Sequence, residues 1–242
     1  MYASPAPRLA DTTDQDAPDQ SANQIHFAGK TFIADRSGAL WWEDEKTLLL
    51  ADLHLEKGSR YAAGGQLIPP YDSGTSLARL ATVIETYQPN RVACLGDSFH
   101  DKEAGHRLPE AYREVLKDLV KNRDWLWISG NHDPDPPEGL GGTPLVEAEI
   151  AGLTLRHQAA RPTTPEISGH YHPKASVRVR HKRITGRCFV FDHQRLILPA
   201  FGAYTGGLSV RAPELRTLFA DSAHVLVIGA RRMFAFPLNK LR

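Results

Sequence analysis

The chain has 242 residues, 41% of them hydrophobic and 24% charged, with a formal net charge of +1. That profile is ordinary for a globular chain of one or two domains, and it excludes a uniformly basic nucleic-acid coat though not a local basic patch. The two cysteines, Cys94 and Cys188, lie far apart in apolar contexts, which argues against a disulfide framework or a thiolate metal site and predicts buried, reduced thiols suited to the cytoplasm. No apolar run reaches membrane-spanning length, and the N-terminus lacks the apolar core of a signal peptide.

Residues 1–23 hold three prolines, four aspartates and little that could pack, so they predict a disordered tail. A single folded domain is expected over 24–242. Ile25-His26-Phe27 and Thr31-Phe32-Ile33 flank a turn and predict a hairpin, followed by a strand at Ala39–Trp42. Leu48-Leu49-Leu50-Ala51 is a continuous apolar run and predicts a strand buried on both faces. It leads into Asp52-Leu53-His54, whose spacing on extended chain would aim Asp52 and His54 at one point. Glycines and prolines between Glu56 and Tyr71 predict a loop at the mouth of that point. A helix is expected from Asp72 or Ser73, either of which can N-cap it, to Tyr87, with Leu77, Leu80, Ala81 and Ile84 as its apolar stripe. Arg91–Leu95 is the next buried strand and ends in Gly96-Asp97. A second helix should run from Pro109 to Asn122 with Tyr112, Val115, Leu116 and Leu119 inward. Trp125–Ile128 is a third strand and ends in Gly130-Asn131-His132-Asp133. This alternation implies a parallel sheet. Beyond it come seven strand-like stretches, Leu145–Ile150, Leu153–His157, Ala175–His181, Cys188–Phe191, Arg195–Leu198, His224–Ile228 and Met233–Phe236, with little helix between them. They predict a second sheet packed on the first.

Ligand-type residues gather at the strand ends: Asp52 and His54, Asp97, Asn131 with His132, His157, and His170 with His172 in Gly169-His170-Tyr171-His172-Pro173. Parallel strands deliver their carboxyl ends to one edge, where α/β sheets bind ligands. Carboxylate, imidazole and one amide oxygen, with no thiolate, suit Mn²⁺, Fe or Zn²⁺ better than Ca²⁺ or Mg²⁺. The group is too large for one ion. Two ions roughly 3.5–4 Å apart, sharing one carboxylate, would use all of it.

In this order Asp-x-His, Gly-Asp, Gly-Asn-His-Asp, a lone His and Gly-His-x-His resemble the calcineurin-like metallophosphoesterases, over about Leu48 to Pro173. Within that superfamily, Ala51–Gly58, Leu95–Asp101 and Pro199–Gly207 resemble the bacterial DNA ligase-associated metallophosphoesterases, a family of DNA-damage-response endonucleases. The resemblance implies an α/β fold, a four-layer αββα sandwich of two packed mixed β-sheets. It implies two divalent ions, Mn²⁺ foremost with Fe or Zn²⁺ as alternatives. Asp52, His54 and His172 would hold one; Asn131, His157 and His170 the other; Asp97 would bridge. His132 would face the scissile phosphate and protonate the leaving oxygen, or else only bind phosphate. The implied activity is phosphodiester hydrolysis by a metal-bound hydroxide, with DNA as substrate in DNA repair. Association with an ATP-dependent DNA ligase, a nuclease and a helicase follows from the resemblance alone. Relatives place an Asp where this chain has His100, and use it to orient the catalytic His; here Asp101 stands beside that position. His100 is thus either an extra phosphate contact or a plain loop residue.

Between Lys174 and Arg187 there are six Lys and Arg and no acid. Alternation puts Arg178 and Arg180 on one strand face. They read either as contacts to a nucleic-acid backbone leaving the metals or as a solvated face. No aromatic residues are interleaved there to stack bases. Two other functions compete: a hydrolase of small phosphoesters such as nucleotides, and a non-catalytic metal-binding scaffold, whose mark would be lost ligands.

Overall fold

The computed structural model describes residues 23–66, 71–134, 138–160, 163–179 and 182–241, without the side chains of residues 178, 179 and 182. The first sheet has seven strands in chain order: β1 (Gln24–Phe27), β2 (Lys30–Ala34), β3 (Leu40–Trp42), β4 (Thr47–Leu50), β5 (Arg91–Leu95), β6 (Asp124–Ile128) and β7 (Thr143–Leu145). It is antiparallel from β1 to β4 and parallel from β4 to β7. The second contains β8 (Glu147–Ile150), β9 (Leu153–Arg156), β10 (Glu166–Ser168), β11 (Lys174–Val179), β12 (Lys182–Phe191), β13 (Arg195–Ile197), β14 (His224–Ile228) and β15 (Met233–Pro237). Its order is β15-β14-β12-β13-β10-β9-β8, with β11 hairpinned onto β12. Among its neighbouring strands only the pairs β9–β10 and β10–β13 are parallel, so both sheets are mixed.

The sheets pack face to face. Phe32, Trp42, Leu49 and Leu95 of the first meet Leu155, Ile167, Phe189 and Leu226 of the second in one buried core. On the far side of the first sheet lie α1 (Lys57–Ala63), α2 (Asp72–Tyr87), α3 (Ala104–Arg107) and α4 (Glu110–Val120). The far side of the second carries α5 (Pro213–Arg216) and the loops around it. β4 is buried on both faces because one faces the sheet–sheet core and the other the helices. Each fully buried Leu there contributes about 1.5–3 kcal/mol of transfer free energy. No helix among the described residues is long and apolar enough to cross a membrane.

Several expectations need correction. Glu56–Tyr71 is not all loop, because α1 occupies its first half. Gly58 sits in that helix for closeness, since a Cβ there would stand 2.6 Å from Asp72 Oδ1. Neither Asp72 nor Ser73 caps α2: Tyr71 holds that position, while Asp72 accepts from the Gly58 N–H (2.8 Å) and Ser73 donates to Glu56 (2.7 Å). In α2 Val83 is buried and Ala81 only half-buried. In α4 Val115 is 42% exposed and Val120 takes the inward place. The stretch from Leu145 to Ile150 is split between sheets, with β7 on the first and β8 on the second. The short β10 and α5 carry too few residues for periodicity to show.

Candidate metal centre

Three parallel strands end at one edge. From β4 the chain enters Asp52-Leu53-His54, from β5 it enters Gly96-Asp97, and from β6 it reaches Asn131-His132. From the second sheet, β9 delivers His157, and the turn between β10 and β11 delivers His170 and His172. The pairing of Asp52 with His54 does not come from a strand's pleat, as the spacing suggested. β4 stops at Leu50, and Asp52, His54 and Glu56 all have left-handed backbone (φ 56°, 45° and 64°). Asp97, His170 and His172 are left-handed too (φ 48°, 71° and 45°). Such conformations cost of order 1–3 kcal/mol each in a non-glycine residue and persist where neighbouring contacts over-determine them. Here they do: Asp52 and His54 donate their N–H groups to Gly96 O (3.1 Å) and Asp97 O (2.9 Å), and the His170 N–H bonds the Asp52 carboxylate (3.0 Å).

The side chains form two groups, Asp52–His54–His172 and Asp97–His157–His170. In the first, His54 Nε2 and His172 Nε2 are 3.2 Å apart, and His172 Nε2 is 3.3 Å from Asp52 Oδ1. In the second, Asn131 Oδ1 stands 2.9 Å from both His157 Nε2 and His170 Nδ1; those nitrogens are 3.1 Å apart, and Asp97 Oδ2 is 3.4 Å from His157 Nε2. Asp97 Oδ2 is also 3.8 Å from His54 Nε2, so one carboxylate oxygen touches both groups.

These separations test the fit to a metal. Donors held about 2.0–2.1 Å from one ion stand about 2.9 Å apart on an octahedron and about 3.4 Å apart on a tetrahedron. The spacing of 2.9–3.4 Å in the second group matches that range. Tautomers agree. His157 Nδ1 lies 2.9 Å from the backbone oxygen of Leu95, which can only accept, so Nδ1 carries the hydrogen. In neutral imidazole Nε2 then presents a lone pair to the Asn131 oxygen, two acceptors that a cation between them would satisfy. Electrostatics point the same way. Burial lowers His157, but its hydrogen bond to Asp97 and the charges of Asp52 and Asp97 outweigh that and lift it to about 9. The pocket thus draws positive charge to this point, which a proton or a metal ion can supply. Burial tends to raise Asp97, yet the hydrogen bond and charge of His157, with His54, hold it well below the usual carboxylate range. Burial, and then His172, push His54 down to about 2, leaving it neutral with one ring nitrogen free to ligate.

His132 stands beside both groups. Its backbone N–H bonds Asp97 Oδ1 (2.9 Å), its Nε2 is 3.9 Å from Asp97 Oδ2, and its side chain is 40% exposed. Its orienting partner is a backbone group: His132 Nδ1 donates to the carbonyl of His100 (2.8 Å). Asp101 instead accepts from Arg107 with both its oxygens (3.0 and 2.6 Å). The His100 ring stacks on His132 (centroids 5.2 Å, 17°) and faces His54 edge-on (5.4 Å, 71°). Its position holds it at the site, and burial followed by the charge of Lys57 lowers it to about 4. The Arg178 backbone pairs with Arg183 in the β11–β12 hairpin; its side chain, and Arg180 altogether, lie outside the described residues.

Three contributors were not singled out from the sequence. Asp133, the last residue of Gly-Asn-His-Asp, is buried and accepts from the Phe99 N–H (2.8 Å), tying the Asp97 loop to the Asn131 loop. Burial raises it to about 8. Gly130 is required by contact, since a Cβ there would fall 2.2 Å from Asp97 Oδ1. The neighbouring Asp97 motif was the signal for both. Tyr61, on α1, stacks on His100 (6.1 Å, 19°) and was hidden by reading that segment as loop.

Comparison with known proteins places this geometry. The calcineurin-like phosphoesterase family matches residues 45–192. Among solved structures, nuclease MPE of Pseudomonas putida is 27% identical with a TM-score of 0.68, over 88% of this chain and 98% of that one. Vacuolar Protein Sorting 29 from Cryptosporidium parvum is 19% identical (TM-score 0.33; 78% and 94% covered), and a Vps29 double mutant from Entamoeba histolytica is 16% identical (0.34; 78% and 96%). At those scores the two Vps29 structures add nothing to the argument. No curated protein matches. The chain belongs to the calcineurin-like phosphoesterase family and is a metal-dependent phosphoesterase.

Proposed function

We propose that the chain is a dinuclear phosphodiesterase acting on nucleic acid, with DNA as the preferred substrate and the cytoplasm as its compartment. The observation that carries the dinuclear part is the position of the Asp97 carboxylate between two donor groups. Likeness to a nuclease over nearly the whole of both chains supports the substrate class. The cytoplasm agrees with two free, buried cysteines.

In this reading Asp52, His54 and His172 would hold one ion, Asn131, His157 and His170 the other, and Asp97 would serve both. When bound, the ions would lower the pKa of water and neutralise phosphate charge. The chain's own groups do the rest. Asp52 and Asp97 supply two negative charges that keep the cations in place. The carbonyls of Leu95 and His100 fix the ring orientations of His157 and His132. His132, more exposed than the buried His54 and His157, is placed to meet the substrate and give a proton from Nε2 to the departing oxygen. A general acid of this kind typically contributes about 10²–10⁴-fold.

Elemental analysis of protein saturated with Mn²⁺, Zn²⁺ or Mg²⁺ in turn should find two ions per chain with at least one metal. A plateau at one ion or none with all three ends the dinuclear reading. Each loaded form, tested on single- and double-stranded DNA and on small phosphoesters, decides the substrate: cleavage of nucleotides or phosphomonoesters with none of DNA would put the small-molecule reading in its place. Loss of all activity after chelation should be reversed by adding back the ion.

Arg178 and Arg180 are proposed to carry the strand backbone away from the ions. Reversing both charges, Arg178→Glu with Arg180→Glu, should weaken DNA binding and flatten its salt dependence by about 0.7–0.9 per lost contact. Hydrolysis of a small nitrophenyl phosphodiester should barely change. Equal loss on both substrates would mean that these arginines support the fold instead.

A further inference from the structure

One cavity adjoins the metal centre without belonging to it. It has a volume of about 310 Å³ and is lined by Lys57, Gly58, Tyr61, Tyr204 and Gly206. That is the lower end of the range for small-molecule sites, about 300–1,000 Å³. Its two aromatic walls come from chain segments 143 residues apart, so no stretch of sequence shows an aromatic pair.

Both walls are tied to the metal centre. Tyr61 lies on α1 and stacks on His100, which stacks in turn on His132. Tyr204 sits in the loop after β13, and that loop is pinned to the ligand-bearing segment by a Gly202 N–H bond to the backbone oxygen of Asp52 (3.0 Å). Gly202 fits only as glycine, because a Cβ would fall 2.0 Å from Leu53 O. The Ala203 N–H bonds Ser76 Oγ (3.0 Å) and Thr205 Oγ1 donates to Gly202 O (3.0 Å). Tyr204 itself is left-handed (φ 57°) and 48% exposed. A bulky residue rarely takes that conformation without a use for it. The loop thus spends backbone strain to hold an aromatic ring in the open, beside a phosphodiester-cleaving centre. Lys57, three residues after His54, brings a cation to the same cavity, and its charge is felt at His54 and His100.

We propose that this cavity is a nucleobase subsite: one unpaired base adjoining the scissile phosphate stacks against Tyr61 and Tyr204, while Lys57 meets a neighbouring phosphate. The inference rests on the nucleic-acid reading above. Stacking is indifferent to base identity, since every base has a π-face, so the subsite favours single-stranded over paired substrate without selecting sequence. A duplex base cannot enter until it leaves its partner.

The experiment uses the metal-loaded chain and single-stranded oligonucleotides carrying one abasic position moved stepwise along the strand. Wild-type cleavage should fall about tenfold at the bond whose adjoining base is missing. Tyr61→Ala and Tyr204→Ala should each cut the intact strand about tenfold less well and become indifferent to the abasic position, while Tyr61→Phe and Tyr204→Phe keep the wild-type pattern. A second readout needs no catalysis: 2-aminopurine in the strand should be quenched on binding in chelator, and less so in the Ala variants. A wild type that cuts DNA with no dependence on the abasic position overturns the subsite and leaves the nucleic-acid reading intact. A wild type that neither binds nor cuts any strand overturns both. If the Ala variants fail to fold, the wild-type abasic pattern alone decides.

Discussion

Asp97→Asn should reduce the bound metal from about two ions per chain to one or fewer at the same free concentration, and lower turnover by at least about 10²-fold. The floor comes from outer-shell partners of metal ligands, whose loss typically costs 10–100-fold in affinity or activity; a carboxylate facing both donor groups should cost more. Its Oδ2 lies 3.4 Å from His157 Nε2 and 3.8 Å from His54 Nε2. Asparagine has the same shape, and its Oδ1 can still accept from the His132 N–H, now 2.9 Å away. The local fold should therefore survive, which circular dichroism can check. What changes is the charge, and amide hydrogens replace an acceptor at the centre of the site. Metal content by elemental analysis and hydrolysis of a nitrophenyl phosphodiester are the two measurements. A variant that keeps two ions and full turnover would mean that Asp97 bridges nothing.

The candidate site was easier to read from sequence than the scaffold around it, for a physical reason. β4, β5 and β6 are buried on both faces, so each is a plain apolar run whose polar end stands out, as in Leu50-Ala51-Asp52 and Leu95-Gly96-Asp97. The order of those ends fixed which residues the structure brings together. What the runs could not convey is how the backbone does it. An extended strand was expected at Asp52 and His54, and alternating left-handed residues were found. Nothing in an Asp or a His announces φ above zero, because the constraint comes from the neighbouring strand through Gly96 O and Asp97 O. Glycine misled in the opposite sense. Gly58, Gly64 and Gly65 read as a loop at the mouth of the site, whereas Gly58 is where α1 packs against Asp72. The missed helix concealed Tyr61, and with it the cavity that Tyr204 completes from the other end of the chain. Likewise the partner of His132 was sought among side chains, at His100 or Asp101, and it is the His100 backbone carbonyl, which every residue type offers.

That carbonyl shapes the remaining prediction. His132→Ala should lower kcat by about 10²–10⁴-fold while the metal content stays at wild-type level. His132 has no place in either donor group, and the backbone N–H that it gives to Asp97 is kept in alanine. The loss should shrink when the leaving group is nitrophenolate, which departs with little need of a proton, and should be largest for an alkoxide such as a sugar oxygen. Because Nδ1 is held by a backbone oxygen, Asp101→Asn should leave kcat close to wild type: its carboxylate serves Arg107. A fall in metal occupancy alongside activity in His132→Ala would make His132 a ligand or a structural residue. A loss of equal size on good and poor leaving groups would leave it binding phosphate without donating a proton. Only a leaving-group-dependent loss at constant metal content fits a general acid whose ring is aimed by the chain itself, through a hydrogen bond that no side-chain substitution at position 100 removes.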